Sequence, residues 1–274
     1  MVNSGPTDWD LASAAFLKSS KIDDAAEQTV NERLIELAEI VEGDTVVDVA
    51  TGIGNPALAV ARRVGPRGRV IATDQSSGML EVAATRANDA GLTNIEFRQL
   101  DANEFNFAAA TIDAVVCRWG LMFLSDLTDA LSRMRKSLKA GRCLAAATWS
   151  EPARVPIISL RRQVMRAFDI PAGANDPFRL SSPTTLKAAA GSAGFGEVEV
   201  TRSVVPYEYP SAQAFVDAQR TMHESRLTSL LARTHEEQDK FWSALGAAAR
   251  PYIGTDGAAR LPCEILLLAA RTHR

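Results

Sequence analysis

The chain has 274 residues, of which 46% are hydrophobic, and a formal net charge of -3. A chain of this size can bury a large core as one elaborated domain. The slightly acidic balance provides no basic surface for nucleic acid and no polybasic membrane anchor, so we expect a small-molecule partner.

The first ten residues have neither the basic start nor the apolar stretch of a signal peptide, and no apolar run reaches membrane-spanning length. Cys117, Cys143 and Cys263 lie in separate apolar runs without metal-ligand spacing. We interpret them as reduced core residues. The expectation is a cytoplasmic protein with no bound metal and no membrane span.

Predicted helices and strands alternate along the first 150 residues. An amphipathic helix comes first and ends at residues 42–44, and its apolar stripe consists of Val30, Leu34, Leu37, Ala38 and Val41. The segments that follow are strands at 45–50, 69–73, 94–100, 112–118 and 142–149, with helices at 56–64, 77–90 and 126–138. This alternation predicts a mostly parallel sheet that helices cover on both faces.

The pattern changes after Trp149, where prolines interrupt the chain. We interpret the helix that follows as a lid over the strand ends. The later predicted elements are this helix at 157–168, a loop at 171–183, a helix at 184–193, a strand at 197–207, a helical region at 211–250 and a closing strand at 261–270. The chain contains no internal repeat and no linker long enough to demand a second independent domain.

The sequence Val-Val-Asp-Val-Ala-Thr-Gly-Ile-Gly at 46–54 predicts a strand followed by a tight turn. Gly52 and Gly54 allow turn conformations that other residues avoid, and they let a ligand lie against bare backbone. A helix begins after this turn, and Asp74 ends the next strand. This arrangement favours a nucleoside whose anionic end lies near the helix and whose ribose hydroxyls bind Asp74.

Two ligand classes fit this turn. The pattern Gly52-x-Gly54-x-x-Ala57, with Asp74 about 20 residues further on, also matches the dinucleotide fingerprint. The other class is a cationic nucleoside that bears an amino acid. Asp48 and Asp101 favour this class, because an acid in the strand repels a pyrophosphate but attracts an ammonium group. Each acid alone is also explained as a helix cap or turn former, and this alternative is strongest for Asp74.

With these motifs the chain resembles the class I S-adenosylmethionine-dependent methyltransferases, in particular the ubiquinone/menaquinone-biosynthesis-like group of small-molecule enzymes. The resemblance covers most of residues 30–270. It rests on Asp-Val-Ala-Thr-Gly-Ile-Gly at 48–54, Thr-Asp-Gln-Ser-Ser-Gly-Met-Leu at 73–80, Asp-Ala at 101–102 and Cys-Arg-Trp-Gly-Leu-Met-Phe-Leu at 117–124. Ala50 and Thr51 depart from the glycine and cysteine that many members carry there.

The resemblance implies an α/β fold: a Rossmann-like, seven-stranded, mostly parallel sheet with an antiparallel last strand and helical lid insertions. Residues 1–150 would form the cofactor-binding core with an N-terminal helical arm. Residues 151–274 would complete the same sheet and supply a helical cover for the acceptor at 151–180 and 211–256. In this cover we expect Phe178, Phe215, His223, Arg226 and Trp242 to influence acceptor choice.

The cofactor implied is S-adenosyl-L-methionine. Its expected binding residues are Asp48, Ala50, Thr51, Gly52, Gly54, Asp74, Gln75, Met79, Asp101, Ala102, Arg118 and Trp119. The expected acceptor-binding residues are Met122, Phe123, Trp149 and Phe178. Packing of Trp119, Met122 and Phe123 against the lid is the alternative explanation for those three. Trp9, Phe16 and Lys18 precede the first predicted helix and would either fold over the cofactor or form a loosely docked arm.

Positioning and desolvation can perform most of a methyl transfer from a sulfonium, and a base is needed only when the acceptor loses a proton. His223 is the candidate base, with Tyr207 and Glu208 as weaker ones, and a surface histidine is the alternative. The predicted function is methyl transfer to the oxygen, carbon or nitrogen of a small metabolite. The alternatives are a non-methylating enzyme of the same fold and an NAD-dependent oxidoreductase.

Overall fold

The computed structural model describes residues 8–20, 24–223 and 227–274. Seven strands form one sheet. They are β1 (Thr45–Val49), β2 (Arg69–Asp74), β3 (Ile95–Gln99), β4 (Ile112–Arg118), β5 (Leu138–Trp149), β6 (Glu197–Tyr209) and β7 (Ala259–Arg271). Their spatial order is β3-β2-β1-β4-β5-β7-β6.

Helices connect and cover these strands. They are α1 (Asp8–Ser20), α2 (Asp24–Leu37), α3 (Ala57–Val64), α4 (Ser77–Asp89), α5 (Leu127–Ser137), α6 (Pro156–Ala167), α7 (Pro183–Ser192), α8 (Ala212–His223), α9 (Thr228–Leu231) and α10 (His235–Ala248). Helices α2, α3, α4, α5 and α7 pack on the sheet, while α8 contacts both α1 and α10, and α10 contacts α6. No helix in the described part of the chain is long and apolar enough to cross a membrane.

The strand pairing confirms the predicted fold. Strands β1, β2, β3, β4 and β5 pair in parallel. Strand β7 runs antiparallel to both β5 and β6. Because parallel strands need crossover connections, α3, α4 and α5 return the chain to the edge of the sheet where the strands begin, and the carboxyl ends of β1 to β5 meet at the other edge.

The strands at the centre of the sheet are buried on both faces, which explains why their sequences are nearly continuous apolar runs. Val46, Val47 and Val49 of β1 are fully buried because helices cover both faces of the sheet. Asp48 of the same strand is also fully buried, which is the exception that bears on function. The three cysteines, in β4, β5 and β7, are buried free thiols.

Three local predictions need correction. Val41 is not part of the inward stripe of α2: it is 51% exposed, because the helix ends at Leu37 and Ile40 takes the buried position. Trp9, Phe16 and Lys18 do precede the first predicted helix, which is α2, but they lie within an additional helix, α1, that was not among the predicted elements. The described part of the predicted helical region 211–250 contains three separate helices, and Arg226 lies outside the described residues.

Charged side chains gather at the edge of the sheet opposite these carboxyl ends. Asp113, near the start of β4, accepts hydrogen bonds from the backbone N–H of Thr45 at 3.0 Å, from Lys139 Nζ at 2.8 Å and from Arg142 Nη2 at 2.8 Å. Burial by itself raises the pKa of Asp113, but these donors together outweigh burial, so the net pKa is lowered.

We expect Asp113→Asn to lower the free energy of unfolding by about 1–3 kcal/mol at pH 7, because it removes the ionised acceptor from these donors. A lowered carboxyl pKa stabilises the fold above the unfolded pKa of about 3.9 and loses this effect as pH falls through the folded pKa. The gap between wild type and variant, measured by urea unfolding, should therefore be constant above about pH 5 and shrink below about pH 4. A gap that persists unchanged at pH 3 would contradict the assignment.

Candidate functional site

A cavity of about 390 Å³ lies at the carboxyl ends of the parallel strands. This is the edge of an open α/β sheet where ligands bind, and the volume is within the usual range for small-molecule sites. Ten of the twelve residues expected to bind the cofactor line it: Ala50, Thr51, Gly52, Asp74, Gln75, Met79, Asp101, Ala102, Arg118 and Trp119. Of the other predicted site residues, Phe123, Trp149 and His223 also line it.

The turn after β1 has the backbone conformation that its glycines predict. Ala50, Gly52 and Gly54 have φ values of 55°, 57° and 95°. A Cβ at Gly52 would meet no atom within 4 Å, so this glycine leaves open space beside the cavity. A Cβ at Gly54 would lie 2.3 Å from Leu58 Cδ1. Leu58 Cδ1 is the end of a flexible side chain that can shift, so it is the φ of 95° that favours glycine at position 54, and Gly54 does not line the cavity.

Asp74 lies at the end of β2 and connects two turns. Its Oδ2 accepts a hydrogen bond from the backbone N–H of Gly52 at 2.8 Å, and its Oδ1 accepts one from that of Ser76 at 3.0 Å. Burial raises the pKa of Asp74, the two backbone donors oppose that shift, and the negative charge of Asp10 adds to it. The side chain of Ser76 caps α4 by accepting from the N–H of Met79. The helix cap is therefore Ser76, and Asp74 is not the capping residue.

Asp48 lies beneath the turn and is not among the residues that line the cavity. Its Oδ2 accepts from Thr51 Oγ1 at 2.6 Å and from the N–H of Ala57 at 2.9 Å, whereas its Oδ1 has no partner among the described residues. Burial raises its pKa to about 7, and the bonds from Thr51 and Ala57 only partly offset that effect. The acid thus holds the turn from below.

Asp101 follows β3 and lines the cavity at an exposed position. Its Oδ1 accepts from the backbone N–H and the side-chain Nδ2 of Asn103, at 2.9 and 2.8 Å. The carboxylate therefore caps the short turn at residues 102–104 in addition to facing the cavity. Asp101 therefore has the turn-forming role that the sequence allows as the alternative explanation for each acid.

Aromatic rings form one wall of the cavity. The rings of Trp119 and Trp149 stack with centroids 3.8 Å apart and an interplanar angle of 6°. Tyr207 of β6 lies 6.2 Å from Trp149. From α1, Trp9 and Phe16 line the cavity, and Trp9 contacts Phe123 at 5.4 Å. The N-terminal helix thus adds apolar side chains to the cavity wall.

The same wall carries an ion pair that the sequence did not indicate. Glu27 of α2 pairs with Arg118 at the end of β4, and the hydroxyl of Tyr207 donates to Glu27 Oε1 at 3.0 Å. All three side chains line the cavity. The available signal was the position of Glu27 three and seven residues before Val30 and Leu34, which places a charge on the inward stripe of the helix.

The segments after β5 complete the cavity. Helix α6 contributes Ile157, Ile158 and Arg161, and α8 contributes Gln219, Met222 and the half-buried His223. Arg161 Nη1 donates to Gln219 Oε1 at 2.9 Å. These two helices therefore contribute three apolar and three polar side chains to the lining.

Two residues expected to bind the acceptor lie elsewhere. Met122 is buried in the core, 2% exposed, and its carbonyl accepts from Arg179 Nε at 2.7 Å. Phe178 is also buried, and the guanidinium of Arg162 lies 5.5 Å from its ring. Neither lines the cavity, because both side chains pack into the core while neighbouring positions such as Pro177 face the space.

The geometry fits a nucleoside with a positively charged substituent. Gly52 leaves room beside the carboxylate of Asp74, and both lie in the cavity wall with Asp101. In the described parts of the chain, no group of three or more His, Cys, Asp or Glu side chains could hold a metal ion.

Comparison with known proteins points to one enzyme class. Residues 46–141 match the family model of a methyltransferase domain. The chain is 36% identical over 119 residues to the ubiquinone/menaquinone biosynthesis C-methyltransferase UbiE of Pseudomonas fluorescens, a match that covers 43% of this chain and 46% of that protein. The match therefore spans about half the length of these curated relatives.

Two solved structures share the fold over most of this chain. The YcgJ protein of Bacillus subtilis superposes with a TM-score of 0.61 at 17% identity, covering 90% of this chain and 99% of that one. A phosphoethanolamine N-methyltransferase 2 of Haemonchus contortus, solved with phosphomonomethylethanolamine and S-adenosylhomocysteine, superposes with a TM-score of 0.57 at 19% identity, covering 90% and 53%. At these identities the likeness establishes the fold alone.

Asp48 generates a prediction about pH. A carboxyl whose folded pKa is raised stabilises the fold below its unfolded pKa of about 3.9, and this contribution is lost as pH rises through the folded pKa. We expect the stability of wild type to fall relative to Asp48→Asn between pH 5 and pH 7, by up to about 1.4 kcal/mol per pH unit. Urea unfolding at three pH values in this interval measures the slope. Asp113→Asn, which keeps Asp48, is the matched control, and its difference in stability from wild type should stay constant over this interval. Parallel curves for wild type and Asp48→Asn would refute the assignment.

Proposed function

We propose that the protein transfers a methyl group to a small-molecule acceptor. The premise is that the chain is a class I S-adenosylmethionine-dependent methyltransferase, as the match of residues 46–141 indicates. The observation that carries the proposal is the open backbone at Gly52 facing the buried carboxylate of Asp74 inside the cavity. When bound, S-adenosyl-L-methionine supplies an electrophilic methyl group on a sulfonium.

We place the cofactor end of the cavity at the lining residues 50–52, 74, 75, 79, 101 and 102. We assign the ribose to Asp74 and the adenine to the neighbourhood of Met79, Asp101 and Ala102. Three features support this assignment: the space beside Gly52, an acid at the end of each of β2 and β3, and the apolar side chain of Met79, 3% exposed. Hydrogen bonds from ribose hydroxyls to an ionised carboxylate are of the stronger kind.

Asp48 and Arg118 have supporting roles in this scheme. Asp48 already accepts from Thr51 and Ala57, so it shapes the turn beneath the cofactor without touching it. Arg118 is paired with Glu27, so it is not available as the principal receptor for an acceptor anion. The remaining negative charge at this end favours a ligand that carries a sulfonium and an ammonium.

The acceptor end is formed by the Trp119–Trp149 stack and by α6 and α8. This end is mostly apolar, which supports a small, partly apolar metabolite as the acceptor. The residues contributed by α6 and α8 fall within the cover at 151–180 and 211–256, so we assign acceptor selection to that cover. His223 lines this end and is our candidate base for an acceptor that must lose a proton. The methylated atom is left open among oxygen, carbon and nitrogen.

Calorimetry with four ligands tests the proposal. The ligands are S-adenosyl-L-methionine, S-adenosylhomocysteine, NAD and NADP. We expect both sulfur nucleosides to bind with one site per chain and neither dinucleotide to bind measurably. Tighter binding of a dinucleotide would replace the proposal with an oxidoreductase. Binding of the sulfur nucleosides without methyl transfer to any acceptor in a metabolite panel would favour a non-methylating enzyme of the same fold.

Replacing Gly52 should weaken cofactor binding far more than an equivalent change at another glycine. Gly52 and Gly91 have φ values of 57° and 66°, and a Cβ at either position meets no atom within 4 Å. Gly52→Ala and Gly91→Ala should therefore cost similar backbone strain, about 1–2 kcal/mol. Only Gly52→Ala places a methyl group in the cavity wall. We therefore expect that variant alone to lose affinity for S-adenosylhomocysteine, by about tenfold or more.

Thermal unfolding and calorimetry on both glycine variants separate the two effects. Equal losses of melting temperature with unequal affinities support the assignment. Unchanged affinity in Gly52→Ala would show that the ligand does not lie against this turn.

A further inference from the structure

Glu27, Arg118 and Tyr207, here called the Glu27 cluster, join three distant parts of the chain. Glu27 comes from α2, Arg118 from the end of β4 and Tyr207 from β6. The side chains of Arg118 and Glu27 are 8% and 18% exposed, and Tyr207 is 2% exposed. Arg118 also donates to the backbone carbonyl of Glu27 at 3.3 Å. The carboxylate is therefore held at one position on the cavity wall.

Stability alone does not account for this cluster. Removing two charges from water costs several kcal/mol per ion, and apolar side chains of similar volume stabilise a core equally well or better. The contacts of the cluster are also separate from those of the acids at the cofactor end, because Asp74 accepts from the backbone of Gly52 and Asp101 caps its own turn. A pinned carboxylate on the wall of a ligand cavity has the placement of a recognition group.

We propose that Glu27 is a specificity-determining residue that accepts a hydrogen bond from an O–H or N–H group of the methyl acceptor. An ionised carboxylate has about four lone-pair sites. Arg118 and Tyr207 each use one, and Glu27 borders the cavity with the remainder. Arg118 compensates the charge of Glu27, so the pair selects a neutral donor over a cation.

The neighbouring rings define the rest of the ligand. Tyr207 lies 6.2 Å from Trp149, which stacks on Trp119 at 3.8 Å. A donor bound to Glu27 therefore has a flat aromatic wall beside it. This arrangement fits a planar, apolar molecule with a hydroxyl or amine at its edge, and Tyr207 acts as a positioning residue for the carboxylate. The inference rests on the proposed function, because it assumes that this end of the cavity holds the acceptor.

The test uses the full chain saturated with S-adenosylhomocysteine and three probes that differ in one substituent. Calorimetry compares 2-naphthol, 2-naphthylamine and 2-methoxynaphthalene, the last of which has no donor. We expect at least one donor probe to bind about tenfold or more tightly than the methyl ether, which is the range for a hydrogen bond to a charged group. The tighter of the two donor probes identifies hydroxyl or amine as the preferred group.

Variants assign the effect to the cluster. Glu27→Gln should reduce the preference for the donor probe at least about fivefold, since a neutral amide accepts more weakly than a carboxylate. Its affinity for S-adenosylhomocysteine should stay within about twofold of wild type. Tyr207→Phe should reduce the preference to a smaller extent. Asp113→Asn, which removes a paired carboxylate at the opposite edge of the sheet, is the control and should lower stability without changing the preference.

Each result bears on a separate claim. Failure of wild type to bind S-adenosylhomocysteine would overturn the proposed function. Normal binding of that ligand with equal affinities for the three probes, or with no probe binding, would overturn the role of Glu27 while leaving the proposed function intact. A preference that survives in Glu27→Gln would have the same consequence. If Glu27→Gln does not fold, Tyr207→Phe decides, and an unchanged preference in that variant overturns the inference.

Discussion

The carboxylate of Asp74 fixes the relative position of the two turns that form the cavity. One oxygen binds the backbone of Gly52 after β1, and the other binds that of Ser76 before α4. Each bond is a charge-assisted one worth about 1.5–3 kcal/mol. Since both donors are backbone groups, the carboxylate holds the chain itself and not a mobile side chain. The open space at Gly52 depends on this arrangement.

Charge is distributed unevenly around that carboxylate. Asp48 lies below the turn, fully buried, and the proximity of Asp74 helps to raise the pKa of Asp48 while Arg118 lowers it. Arg118 in turn is paired with Glu27. In the proposed assignment, the acids Asp74 and Asp101 at the cofactor end attract a positively charged ligand, whereas at the acceptor end Arg118 compensates the charge of Glu27. One cavity therefore offers two chemically different environments.

Much of the fold was predictable from the sequence because its signals are local. Apolar runs such as Val46–Val49, bounded by turn residues, indicate buried parallel strands, and the glycines at 52 and 54 indicate a tight turn with positive φ. Acids at the ends of β2 and β3 must lie near that turn, since parallel strands end at one edge of the sheet. Ten of the predicted cofactor residues accordingly line a single cavity.

The tertiary structure alone decided which side chains face that cavity. No local signal in the sequence distinguishes Met122 and Phe178, which pack into the core, from Phe123 and Trp149, which line the cavity, because burial depends on what packs from distant elements. Likewise, Glu27 and Tyr207 are 180 residues apart, and no local pattern pairs them. The sequence by itself determined the sheet, the glycine turn and the acids at the strand ends through short-range periodicity and backbone preference. Long-range packing determined the acceptor wall, the role of Asp48 beneath the turn and the Glu27 cluster.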